Sequence, residues 1–172
     1  LEFRRVLFRS QLELTNGSVT ASGDTLTLGT ATTTTGALVH TSGYVIGTFR
    51  RWVASATASN IVFPIGSSAY YNGAEFDFTS APTTGGTILA TYTATKPDAT
   101  GLPVTDGGES CMNLGVGYWQ FTAGNGFTGG TYTVRLAANG MPGVSDPPSL
   151  HLVQRTGNGA SWTGNEIGRA HV

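Results

Sequence analysis

The stretch GYWQFTAGNGFTGGTYTVRL, Gly117 to Leu136, decides the fold. In its last six residues Tyr132, Val134 and Leu136 alternate onto one face of a strand. In its first half Trp119 alternates with Gly117 and Phe121, which turns the indole inward. Between the two lies Gly124-Asn-Gly-Phe-Thr-Gly129, a GxGxxG pattern. A dinucleotide loop of that form must open a helix whose N-terminus faces the pyrophosphate. A strand-patterned segment follows here instead, so the glycines read as a hairpin turn between two strands.

The same alternation extends outward in both directions. Thr87-Ile-Leu-Ala-Thr-Tyr92 places Ile88, Ala90 and Tyr92 inward, with Thr87 and Thr91 outward. Further runs are Ala37–His40, Tyr44–Val53, Ile61–Ile65, Ala69–Thr79 and Ser149–Arg155, separated by Gly/Pro clusters. Short strands at regular spacing between such clusters indicate a β-sandwich. Gly47, inside the long run Tyr44–Val53, marks a bulge or a close approach of another backbone. Near the start, LELTNGS and DTLTLGT (Leu12–Ser18 and Asp24–Thr30) read as short rungs, with turns at Asn16-Gly17 and at Ser22-Gly23-Asp24. Two such rungs suit the end of a stacked-strand array. The small-residue stretch Ala54–Asn60 is the best boundary. The expectation is therefore an all-β chain: an antiparallel, Ig-like β-sandwich over residues 59–165, preceded over 11–58 by a strand-rich, β-solenoid-end segment. The expected core is Leu26, Leu28, Val45, Phe49, Val62, Phe63, Phe76, Phe78, Ile88, Tyr92, Trp119, Phe121, Tyr132, Val134, Leu136, Leu150 and Leu152.

Composition agrees. Charged residues are 11% of the 172 residues, against about 25% in an average soluble protein. There are 25 Gly and 27 Thr, and Lys occurs once, at Lys96. Thr suits exposed strand faces, because its branched Cβ fits the pleat while its hydroxyl stays wet. No apolar run approaches the ~20 residues of a membrane helix, so membrane insertion is not expected. Aromatic content of 10% argues against disorder.

Residues 1–10 (LEFRRVLFRS) and 166–172 (EIGRAHV) resemble nothing between them. The oligonucleotide AGATCGGAAGAGCACACGTC with one G in front encodes EIGRAHV, and its reverse complement encodes RVLFRS. Both ends are read as translated sequencing adapter, which makes 11–165 the natural segment and takes both ends out of fold reasoning. Five basic and eight acidic residues then remain, a net charge of −3 rather than −1. Arg50-Arg51 is the one basic pair, and on a strand its members point to opposite faces. A polyanion footprint is absent, so nucleic acid is not expected as a partner.

Catalytic signals are weak. Glu75 and Asp77 flank Phe76 and share a strand face about 7 Å apart, a separation glycoside hydrolases use. Such pairs usually come from different elements, and a solvated face with Phe76 and Phe78 inward is the plainer reading. Cys111 is the one cysteine, so no internal disulfide forms. His40 and His151 lie at no spacing that makes it a triad, and a small buried hydrophobe is its commoner role. The chain is read as a non-enzyme without cofactors. Loop calcium is the alternative, on Asp98, Asp106 and Glu109 in one Gly/Pro-rich loop and Asp146 in another. Asn16-Gly-Ser18 fits the glycosylation acceptor pattern and is equally a turn. Tyr70, Tyr71, Tyr118, Trp119 and Trp162 form a candidate glycan platform. Tyr70, Tyr71 and Trp162 are its strongest members, because flat exposed rings stack on sugar faces; core packing is the competing role.

Five phrases together resemble one family: DTLTLGT (Asp24–Thr30), SGYVIGTFRRW (Ser42–Trp52), IVFPIGSSAYY (Ile61–Tyr71), Gly117–Leu136 and LHLVQRTGNGASW (Leu150–Trp162). They are similar to modules of large secreted, adhesin-like surface proteins of Bacteroidota that end in a type IX secretion sorting domain. The resemblance implies stacked-strand or Ig-like modules in tandem, located outside the cell or on its surface. It implies a structural or adhesive role, with neighbouring modules of the same long chain as partners and an extracellular glycan as a further one. The alternative is a carbohydrate-binding module. No phrase is a catalytic signature.

Overall fold

The computed structural model describes residues 7, 8, 10–106, 108–142, 144 and 151–164. Among them there is no helix, so the chain is all-β, and none of its elements is a helix long and apolar enough to cross a membrane. Most of the residues read as adapter, together with Asp146 and Leu150, lie outside the described residues. Contacts divide the chain into two units: Leu1–Thr93 with Trp119–Asn139, and Ala94–Tyr118 with Gly140–Val172.

The first unit begins as a parallel stack. β2 (Gln11–Leu14) pairs in parallel with β4 (Ala37–His40), Gln11 opposite Ala37. β3 (Ser18–Leu28) pairs in parallel with β5 (Tyr44–Val53), Ser18 opposite Tyr44, which is the same offset of 26 residues. Each rung bends once, at Asn16-Gly17 and at Thr41–Gly43. The Asn16 side chain accepts from the Gly17 amide at 2.8 Å, and Ser42 Oγ donates to Thr15 O of the rung beside it at 2.8 Å. Asn16-Gly17 is thus a corner between two strands that do not pair with each other. β7 (Ile65–Gly66) adds a third parallel layer, Val45 opposite Ile65. On the opposite edge β1 (Leu7–Phe8) runs parallel to β3, with Leu7 opposite Thr27.

The predicted turn at Ser22–Asp24 is corrected: these residues lie inside β3 as a bulge. The register steps from Ala21↔Gly47 to Thr25↔Thr48, so three extra residues sit on β3. Gly47 faces this point at φ 117°, and a Cβ on it would stand 2.7 Å from Ala21 O. The close backbone approach expected at Gly47 is what the structure has.

β5 turns antiparallel on its other side, to β9 (Gly86–Thr93), with Phe49 opposite Ala90. β12 (Tyr118–Gly124) continues that sheet beyond β9. A second, antiparallel sheet has the order β13 (Tyr132–Leu136), β8 (Ala74–Phe78), β6 (Ile61–Phe63). Its phenylalanines pack on those of the larger sheet. Phe63 meets Phe49, Phe76 and Phe121 with ring centroids at 6.1, 5.6 and 6.3 Å, all edge-on. Edge-to-face packing at such distances is the preferred arrangement of aromatic quadrupoles. Phe49 and Phe63 are fully buried, as are Leu28, Val45 and Ile65.

Several expected faces differ. Tyr132 is 53% exposed: its ring leans on Phe76 and Phe78 from the rim, at 5.1 and 5.7 Å. Thr87, expected outward, is 1% exposed, because Asn125 folds over it and donates to its Oγ1 at 2.9 Å. Val62 and Leu152 are half-buried rather than core. The Gly124–Gly129 turn is corrected as well: β12 and β13 belong to different sheets, so it is a crossing between layers and not a hairpin.

The second unit has two small hairpins, β10 (Val104–Asp106) with β11 (Glu109–Cys111), and β14 (Val153–Gln154) with β15 (Thr163–Gly164). Its anchor is Trp162. The indole N–H donates to Asp98 O at 2.8 Å, and the Arg155 guanidinium lies 4.4 Å over the ring. Arg155 in turn pairs with the Asp98 carboxylate. The Arg155 hydrogen bond, helped by those from Thr100, holds the Asp98 carboxyl at about 2, below its ordinary 3.8. A depressed carboxylate stabilises the folded state above its unfolded pKa and stops doing so as pH falls through the folded one. The Trp162 indole N–H signal in an NMR pH titration should therefore lose its folded position between about pH 4 and pH 2. In Asp98→Asn that acid step should be absent and Trp162 should be looser already at pH 7. A variant with the wild-type acid profile would remove Asp98 from this role.

Candidate functional site

The first unit carries an aromatic step built where the parallel stack meets the second sheet. Ser67 starts a tight turn: its amide donates to Tyr70 O at 2.9 Å, and its Oγ accepts from the amides of Ala69 and Tyr70 at 3.3 and 3.1 Å. The turn lifts Tyr70 to 50% exposure. The next ring, Tyr71, stacks on His40 from the end of β4, with centroids 5.5 Å apart and planes 22° apart. Tyr44, the first residue of β5, meets Tyr71 edge-on at 6.1 Å. Gly73 leaves the room this requires, since a Cβ there would fall 2.1 Å from the Tyr71 hydroxyl oxygen.

Burial sets the chemistry of this cluster. His40 Nε2 is buried with no hydrogen-bond partner among the described residues, and desolvation lowers the His40 pKa below 6.5, partly opposed by a backbone hydrogen bond with Gly43. The imidazole is then neutral at pH 7 and serves as a flat surface under Tyr71. Burial raises the Tyr71 pKa, and the negative charge of Glu75 adds to that, so the phenol keeps its proton. Beneath the step Asn72 is fully buried. Its side-chain amide nitrogen donates to Ala137 O and Asn139 O at 3.3 and 2.9 Å, and its main-chain carbonyl accepts from the Trp119 indole at 2.7 Å. Asn72 thereby pins the end of β13 and the start of β12 under the tyrosines.

Of the three residues read as a glycan platform, Tyr70 and Tyr71 lie in the first unit and Trp162 in the second. Tyr70 is open and Tyr71 is half-covered by His40. Trp162 is 8% exposed and one of its faces is occupied by Arg155. Its reading as an open stacking ring is corrected on that ground. Of the other aromatics, Tyr118 is half-buried, and Trp119 packs on Tyr92 at 5.2 Å. His40, Tyr44 and Asn72 were not singled out as partners from sequence. The step joins them through the parallel pairing of β5 with β7 and the bridge of Gly66 to Tyr71, which no local pattern states.

Glu75 and Asp77 lie on the outer face of β8, with Phe76 and Phe78 inward. Arg135, opposite Glu75 on β13, spans both carboxylates: Nη1 reaches Glu75 Oε1 at 2.8 Å and Nη2 binds Asp77 Oδ2. Asp77 Oδ1 also accepts the Asn60 amide at 2.7 Å. The pair thus acts as a clamp for one guanidinium.

Cys111 is half-buried at the end of β11. Among the described residues no three His, Cys, Asp or Glu side chains come together as metal ligands. In the loop considered for calcium, the Asp98 carboxylate is engaged by Arg155 and by the Thr100 amide.

On the outer face of the larger sheet Arg50, Thr87 and Leu89 meet Thr122 and the turn Ala123–Asn125 around a shallow cleft of about 210 Å³. Arg51, the other half of the basic pair, points the opposite way. Its Nη1 donates to Val62 O at 2.8 Å, and burial lowers its pKa to about 10.

No family model matches the chain, and no curated protein or solved structure matches it either.

Proposed function

We propose that the chain is a non-catalytic structural or adhesive module of an exported, adhesin-like bacterial surface protein of the Bacteroidota type IX kind. In this reading it works as a rigid scaffold next to other modules of a longer chain. The observation that carries it is the parallel stack: β2 on β4 and β3 on β5 repeat one rung at one offset, with the bends in line. A rung stacked on its own copy is the unit of a β-solenoid, whose length grows by repetition. The fold we propose is such a solenoid end over residues 11–58, passing into a sandwich whose antiparallel layer is β6–β8–β13. Ig-like strand order drops out of this reading, because the facing layer contains the parallel pairs β3/β5 and β5/β7.

The basic residues support an extracellular life. Lys96 precedes Pro97, whose tertiary amide and fixed ring make a poor site for proteases that cut after basic residues. Arg50 and Arg51 lie inside a strand paired on both sides, and Arg135 and Arg155 are held by carboxylates. In its adhesive form the module binds carbohydrate, with Tyr70 as the exposed ring.

Antibodies raised against the purified chain should label intact cells that carry the gene, and proteinase treatment of those cells should remove the label. Label that appears only after permeabilisation would sink the proposal.

A further inference from the structure

The four arginines of 11–165 divide sharply. Arg51 donates to a carbonyl, Arg135 to two carboxylates and Arg155 to one. Arg50 lines the outer cleft and has no acceptor within hydrogen-bond distance among the described residues. A guanidinium presents five donors in a planar fork that fits the two oxygens of a carboxylate. From the architecture of the cleft around that fork we infer that it is a binding site for an acidic sugar, a uronic acid unit of a glycan.

The walls are fixed before any ligand arrives. Asn125 sits at φ 51° in the turn closed by the Phe127 amide on Gly124 O at 3.1 Å. Its side-chain nitrogen is tied to Thr87 Oγ1 at 2.9 Å. Gly86 lets the start of β9 run against this turn, where a Cβ would come within 2.5 Å of the Phe127 amide nitrogen. A preorganised wall spends little of its binding energy on ordering itself.

The polar groups match a hydroxylated ligand. Thr87, 1% exposed, serves from beneath, its Oγ1 holding the Asn125 side chain in place. The Asn125 carbonyl oxygen and the Thr122 hydroxyl are further partners for sugar hydroxyls. Leu89, opposite Arg50 in the ladder, offers an apolar patch. Trp52 projects from the same sheet face, opposite Thr87 and two residues along from Arg50. The volume suits one ring rather than a chain segment. One unopposed guanidinium in a segment of net charge −3 favours a single carboxylate over a densely charged polymer. An acidic peptide carries the same carboxylate without the hydroxyls that the Thr and Asn walls would meet.

This inference rests on the adhesive form of the proposed function, and its test uses the purified chain, so it can fail while surface labelling succeeds. Methyl β-D-glucuronoside and methyl β-D-glucoside, which differ in the carboxylate, are titrated into the full chain by NMR, with a short polyglutamate peptide as a third arm. The glucuronoside should shift the amides of Leu89 and Thr122–Asn125 and bind at least tenfold more tightly than the glucoside. Arg50→Gln should weaken it at least tenfold, and Asn125→Ala should weaken it without touching the peptide arm. Equal binding of both glycosides would overturn the assignment. So would undiminished binding in a folded Arg50→Gln, or a preference for polyglutamate.

Discussion

Phe63→Ala should destabilise the first unit by about 3–5 kcal/mol, at the upper end for a buried aromatic residue. Phe63 is 0% exposed and its ring is shared by Phe49, Phe76 and Phe121, so it belongs to both sheets at once. Three edge contacts vanish together, and the rings that remain are anchored to two separate hydrogen-bonded ladders. Those ladders cannot close the gap without shifting a whole strand, which is why the cavity term stays large. Thermal melting followed by circular dichroism should show a midpoint lower by roughly 10 °C or more. Phe121→Ala is the useful comparison, because Phe121 is only half-buried and should cost visibly less. Equal losses at the two positions would mean that the packing between the sheets is not centred on Phe63.

The second large effect is expected from adding one methyl group. Gly47→Ala forces a side chain onto a residue at φ 117° and drives its Cβ to 2.7 Å from Ala21 O. Both the conformation and the contact are unfavourable, and together they should cost about 2–4 kcal/mol. Gly17 and Gly23 separate the two causes. They also have positive φ, 76° and 73°, but a Cβ at either would touch nothing. Alanine there should cost about 1–2 kcal/mol, from conformation alone. Urea denaturation of the three variants gives the comparison directly. If Gly47→Ala falls no further than Gly23→Ala, the approach of β3 to β5 at the bulge is looser than described.

What could be read in the sequence was what local chemistry decides. Alternation alone puts Val45 and Phe49, or Phe76 and Phe78, on the buried side, and a glycine within a strand announces the contact at Gly47. Pairing partners were not legible. A strand looks the same whatever its neighbour is, so the rungs suggested a stacked array but not its partners: Leu12–Ser18 and Asp24–Thr30 lie along one rung, and the rung beside it is 37–53. Ser22-Gly23-Asp24 has the composition of a turn, yet the ladder on both sides of it keeps the chain extended and turns the surplus into a bulge. Thr87 and Tyr132 were misplaced for a related reason. Alternation says which face a residue takes and is silent on what lies over that face: Asn125 covers Thr87, while Tyr132 stays half-exposed. Trp162 has the flat ring of a sugar platform, but Asp98 and Arg155, distant in sequence, claim its nitrogen and its face.

The route by which the chain leaves and re-enters the larger sheet has a practical side. β9 and β12 are neighbours in that sheet, and the rings of Tyr92 and Trp119 meet at 5.2 Å, tilted, across the junction. Residues 94–117 therefore leave and re-enter at two points that the sheet itself keeps together, while their own partners lie in 140–172 of the second unit. Doubling the length of such a closed loop costs only about 0.6 kcal/mol. The sheet is thus largely indifferent to the length of that connection. Extra residues inserted between Thr93 and Asp98 would therefore weigh little on the sheet, whereas replacing 98–117 would take away the partners of Trp162 and Arg155.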